Sequence, residues 1–225
     1  NGLSNFEDVG EAARPVPDAE RSVQLLELEG LDARLRIASR TERLRLPARG
    51  LHYAVDAAGA IATALQILGG RFDAEVVRRA LAGTATVFGR GEVLRVRGEE
   101  VEIVMMKNPP SLQMNLDALA EPPEQLFMAV DEGTPDPSWI YGSDLSRIER
   151  VDVVSGTKAW QIATRLEYGR IPVGSVEPQL GPALDRFLAL PAPSRGRKTM
   201  IVNYEQMMAI RRRLGASGIE GKANS

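Results

Sequence analysis

The 225-residue chain contains no cysteine and one histidine, His52. Disulfides, thiolate metal sites, a cysteine nucleophile and a histidine metal cluster are therefore excluded, and with them zinc and thiol redox chemistry. Charge of one sign is lacking too. The 28 Lys and Arg against 30 Asp and Glu leave a formal net charge of -2, so no broad basic field exists to hold a nucleic acid or an anionic membrane. No window reads as the long apolar run of a bilayer span, and residues 1–13 have neither a basic leader nor a hydrophobic stretch. These absences describe a soluble, cytoplasmic protein without nucleic-acid or membrane-spanning function, and the Asn at position 1 reads as the middle of a longer chain.

What is present suffices for a core: 44% of residues are apolar and 26% charged, consistent with one large or two small globular domains. Residues 1–20, with Arg14-Pro15-Val16-Pro17-Asp18, lack periodicity and read as a linker. From Val23 to Leu46 apolar residues alternate with Arg and Glu, broken at Glu29-Gly30 and Ser39-Arg40-Thr41, which predicts a three-stranded antiparallel meander with one wet face. The period then lengthens: Val55, Ala58, Ile61, Ala62, Leu65 and Leu68 predict a helix ending at Gly69-Gly70, and Asp73 caps a second that ends at Gly83.

Beyond Gly83-Thr84 strands and helices alternate. Strands are predicted at 93–96, 101–106, 126–130, 151–154, near Val173 and at 200–202, with helices at 111–119, 157–168, 182–190 and 204–214. This order implies βαβ units and an α/β, Rossmann-like domain with a parallel-rich sheet covered on both faces. The expected organisation is residues 1–83, then 84–215, then a flexible tail at 216–225. Trp160, Ile162, Ala163, Leu166 and Met207, Met208, Ile210 fall on helical stripes expected to be core, and Arg211-Arg212-Arg213 reads as a solvated cap at a helix end.

Several residues have chemistry to offer. Arg90 stands between Gly89 and Gly91, where a tight turn leaves a guanidinium free to meet phosphate or ribose oxygens, or simply leaves a surface Arg in a turn. Glu92 reads as support for that turn. Lys107 and Asn108 follow an apolar strand and precede two prolines, which is either a ligand rim at a strand's carboxyl end or the ordinary start of a helix. His52, with Tyr53 and Asp56, lies at a helix start. Asp136 and Asp144 flank Trp139 and Tyr141 in a Pro-containing segment, where aromatics mark an interface or pocket wall and the acids also suit turns and caps.

Taken in order, Arg14 to Asp18, Leu46-Pro47, Gly50-Leu51-His52, Phe88 to Glu92, Lys107-Asn108-Pro109, Asp136 to Tyr141, Ser155-Gly156 with Ala159-Trp160, and the Tyr204 helix resemble the C-terminal part of MurT-type Mur ligases. The resemblance implies that residues 1–83 are the closing portion of the central ATPase domain and 84–215 the C-terminal domain. It implies ATP and Mg²⁺ as cofactors, and lipid II as the substrate whose D-glutamate carboxylate becomes D-isoglutamine. Ammonia would come from a class I, GatD-type glutaminase partner. His52, Asp56, Arg90, Lys107 and Asn108 would face the nucleotide, and Asp136 or Asp144 would complete the partner's Cys-His pair. The family's acid is expected just after the aromatic, where Gly142 stands, and Tyr53, Asp56 and Gln113 replace family amides or small residues. A phosphate loop ending in Gly-Lys-Ser/Thr is absent from the sequence, so these residues alone are expected to be inactive. Two other readings remain open: a non-catalytic scaffold on the same fold, and another amide-forming Mur-type ligase.

Overall fold

The alternation that begins at Val23 folds as three antiparallel strands, β1 (Val23–Glu29), β2 (Asp32–Ile37) and β3 (Arg40–Arg45). The computed structural model describes residues 22–84, 89–134 and 136–216; the expected linker, Phe88 and most of the expected tail lie outside them. Ala33, Leu35 and Ile37 of β2 point inward while Asp32, Arg34 and Arg36 face water, as the two-residue repeat of a half-buried strand requires. Onto that inner face α1 (Leu51–Leu68) lays Tyr53, Ala54, Ala57 and Ile61. Asp73 caps α2 (Ala74–Ala82) by accepting from the Glu75 amide at 2.8 Å, and α2 buries no residue fully.

By length and composition alone, Leu51–Arg71 is apolar enough to cross a bilayer, which corrects the reading that no such window exists. In this fold its buried face packs on the small sheet, and Val55, Ile67 and Leu68 face outward.

The larger part is a six-stranded sheet in the order β4-β5-β9-β6-β7-β8. Its strands are β4 (Arg90–Val96), β5 (Glu99–Met105), β6 (Leu126–Ala129), β7 (Val151–Ser155), β8 (Val173–Glu177) and β9 (Lys198–Val202). Only β4 and β5 run antiparallel; the other neighbours are parallel. Every residue of β6, β7 and β9 is buried, which is why they read as apolar runs rather than alternations. One face is covered by α3 (Pro109–Ala118) and α4 (Ala159–Tyr168), the other by α5 (Leu180–Leu188) and α6 (Tyr204–Arg213). The Pro-containing segment around Trp139 is a 3-10 helix, Pro137–Gly142.

Two side chains depart from expectation. Ile162, Leu166, Met207 and Ile210 are core, but Trp160 is 63% exposed, because its position on α4 falls outside the inward stripe. Arg211 is buried rather than solvated, since it meets a buried partner on β4, Glu92.

Candidate functional site

A cleft of about 650 Å³ opens between the two parts, with Pro47, Arg49 and His52 on one wall and Arg90, Glu102 and Arg197 on the other. Gly50 starts α1 at φ 115, and a Cβ there would lie 2.7 Å from His52 Cε1, so only glycine admits both that turn and the ring behind it. His52 and Tyr53 stack obliquely, 4.8 Å between centroids. Burial holds the imidazole pKa below its ordinary value, and the Arg90 charge adds to this against a smaller opposing pull from Asp56. At neutral pH His52 is therefore uncharged, offering one donor and one acceptor.

Arg90 opens β4. Its Nη1 lies 3.4 Å from Asp56 Oδ2, with both side chains well exposed, and its carbonyl accepts from the Tyr53 hydroxyl at 3.2 Å. The fold thus brings His52, Tyr53, Asp56 and Arg90 together, although 34 residues separate Asp56 from Arg90. Deeper in the cleft, burial raises the Glu102 carboxyl above its usual range, partly offset by Arg197 and Arg49. Sequence reasoning missed Glu102, which lies inside the strand read there as apolar.

Lys107 and Asn108 sit at the carboxyl end of β5 and are not among the residues lining this cleft. The Asn108 side chain accepts from the Ser111 amide at 3.0 Å while Ser111 Oγ accepts from the Asn108 and Lys107 amides, a reciprocal cap on α3. Asn115 Nδ2 donates to the Met105 carbonyl at 2.9 Å, further fastening that helix to the strand.

Asp136 caps the 3-10 helix, accepting from the Ser138 amide at 2.8 Å and its hydroxyl at 2.9 Å; these bonds hold its pKa low. Asp144 makes the same local turn with the Ser146 amide and is lowered for the same reason. Both carboxylates are exposed and committed to backbone turns. Trp139 is half-buried against the larger core, whereas Tyr141 and Tyr168 meet edge-on at 6.4 Å with Arg165 over the Tyr141 ring. Together with Trp160 they form an exposed aromatic surface.

A polar cluster that the sequence reading overlooked closes the carboxyl ends of β6 and β9. The chain leaves these neighbouring strands for opposite faces of the sheet, the arrangement at which such folds open a crevice. Asp131 accepts from Gln206 Nε2 at 2.9 Å and from the Thr157 amide, and Asn203 Nδ2 donates to the Asp131 carbonyl and to Thr134. The signal was available: Asp131 follows an apolar run just as Lys107 does.

No family model and no curated protein matches the chain. Solved structures do. A folylpolyglutamate synthase from Thermotoga maritima aligns at 19% identity and TM-score 0.59, covering 90% of this chain and 47% of its own. The Mycobacterium tuberculosis folylpolyglutamate synthase complexed with ADP aligns at 21% and 0.64, covering 89% and 49%. The UDP-N-acetylmuramate-alanine ligase MurC from Thermotoga maritima aligns at 17% and 0.63, covering 86% and 45%. At these identities the likeness shows the fold, a three-stranded antiparallel sheet joined to a mainly parallel α/β layer as in Mur-type ligases. The chain spans less than half the length of these neighbours.

Proposed function

We propose that this chain is the C-terminal part of an ATP-dependent Mur-type ligase of the MurT kind. In this reading the whole protein converts the D-glutamate carboxylate of lipid II to D-isoglutamine with ammonia from a class I, GatD-type glutaminase. The observation that carries the nucleotide reading is Arg90, held by two glycines at the mouth of the cleft beside neutral His52. Its only ion pair among the described residues is long and exposed, so a phosphate or ribose oxygen competes for it at small cost. The fold is shared with synthases and ligases, one of them solved with ADP.

Transfer of the γ-phosphoryl group to the carboxylate gives an acyl phosphate and ADP; ammonia then attacks the acyl carbon and phosphate leaves. The residues here fit one part of that chemistry, a cation and a neutral imidazole at the nucleotide's edge. They do not fit Mg²⁺, since no group of three or more acidic or imidazole side chains comes together among the described residues, and no step through the metal is assigned to them. Lacking cysteine, the chain leaves glutamine hydrolysis to the partner. The partner would dock on the aromatic surface of Tyr141, Trp160 and Tyr168, near Asp144 and the acid-free position Gly142.

A second reading, a non-catalytic scaffold, is favoured by one observation. Tyr53 and Asp56, which stand where the family has amides, are spent on Arg90 itself and tie the two parts together. One experiment separates the readings: in the full-length protein with its glutaminase, Arg90→Ala should lower kcat/KM for ATP by an equivalent of about 1–3 kcal/mol. Unchanged kinetics, or no turnover in the parent protein, favours the scaffold.

A further inference from the structure

The β4–β5 ladder slips at its first residues: Arg90 pairs with Val104, yet Glu92 pairs with Ile103. Paired residues share a face, and Val104 and Ile103 belong to the cores on opposite faces of the sheet. Arg90 and Glu92, which a regular strand would point the same way, therefore point oppositely. Gly91, at φ 73, is the extra residue of this bulge, and Gly89 precedes it at φ 74. Arg90 is turned toward the cleft and Glu92 toward α6, where it is buried against Arg211.

The Glu92 carboxylate is shared. Oε1 accepts from Arg211, and Oε2 accepts from the Gly89 amide at 3.3 Å. It thereby spans the turn from 89 to 92, whose other strap is the Met105 amide donating to the Gly89 carbonyl at 2.6 Å. A buried ion pair is a poor way to gain stability, because desolvation cancels most of the attraction and an apolar pair of similar volume does as well. What an apolar pair lacks is an acceptor for the Gly89 amide and a fixed register for the bulge.

We propose that Glu92 and Arg211 are positioning residues: through the bulge at Gly91, α6 sets where the Arg90 guanidinium points in the cleft. The brace is a property of the fold, and its use for a nucleotide rests on the function proposed above. The whole chain carries the test, with His52 as reporter because its imidazole feels Arg90 and no second histidine overlaps its NMR signal.

The variants are Arg90→Ala, Arg211→Lys and the paired Glu92→Leu/Arg211→Leu, which avoids stranding a buried charge. Thermal unfolding establishes that the paired variant folds. It is expected to melt near the parent, to exchange the Gly89 amide about tenfold faster, and to move the His52 titration the way Arg90→Ala moves it. Arg211→Lys, which keeps the charge, should restore part of each effect. A paired variant with parental His52 titration and parental Gly89 exchange overturns the brace; where the paired variant does not fold, an Arg211→Lys variant with parental His52 titration and parental Gly89 exchange overturns it. ADP binding, measured alongside, tests the other claim. If Gly89 and His52 respond but ADP affinity is equal in parent, Arg90→Ala and the paired variant, the brace stands and the nucleotide reading falls.

Discussion

The two sheets solve the problem of burial differently. β6, β7 and β9 are buried on both faces, whereas the three-stranded sheet alternates in and out and is covered on one face by α1. Phe127 and Phe187 meet at 5.5 Å inside the larger part, while Val55 and Ile67 on the outer side of α1 are 56% and 72% exposed. The larger part is a closed unit whose stability comes from packing around a central strand. The smaller is an open half-layer joined to it by a few contacts, among them Tyr53 to the Arg90 carbonyl. Hinges and ligand clefts belong at such thin seams, where little packing has to be broken for the two sides to move.

The contrast is broken most severely from inside the larger core. Phe187→Ala should cost about 3–5 kcal/mol and shift chemical unfolding followed by far-UV circular dichroism and by tryptophan fluorescence alike; a cost near zero would mean that this core is not the stable unit. Leu35→Ala in the small sheet should cost about 2–5 kcal/mol but act locally. Both tryptophans lie in the larger part, so the dichroism midpoint should move clearly more than the fluorescence midpoint. Coincident shifts would show that the seam transmits folding. Val55→Ala, on the uncovered side of α1, should change stability by no more than about 0.5 kcal/mol.

The smallest effect is a titration at the seam. His52 is held below its ordinary 6.5 by burial and by Arg90 against Asp56, so Arg90→Ala should raise its pKa and Asp56→Asn should lower it. The unfolded chain takes up this proton first as pH falls through 6.5, so stability should decline from there down to the folded-state pKa and the slope should flatten in His52→Gln. Shifts of the same sign in the two variants would mean that the charges act through altered burial instead.

Much of this fold is local and could be read in advance. The alternation through β2, the apolar runs of β6 and β7, Asp73 as a cap and Asn108 before its prolines each declare themselves within a few residues. The same holds for Asp136 and Asp144, whose turn-forming role needs only Ser138 and Ser146. What escaped depends on distant partners. Arg211 lies in a run of three arginines at a helix end and looks solvated, yet it is a core residue paired with Glu92, 119 residues away. Trp160 is part of an apolar stripe by spacing, but which side of α4 faces inward is decided by where β7, β8 and the 3-10 helix lie. The meeting of Asp56 with Arg90 is likewise a fact of tertiary structure, which is why the resemblance could nominate both residues while their spacing could not pair them.

The position of β9 has a consequence for synthesis. Among the described strands it is the last in sequence, yet it lies between β5 and β6, so the centre of this sheet stays empty until the ribosome has passed Val202. With synthesis at about 5–20 residues per second, β5 and β6 wait several seconds with apolar edges that cannot yet join. During that interval the larger part keeps those edges unpaired, whereas the strands of the small sheet, complete by Arg45, can pair while the rest is still being translated.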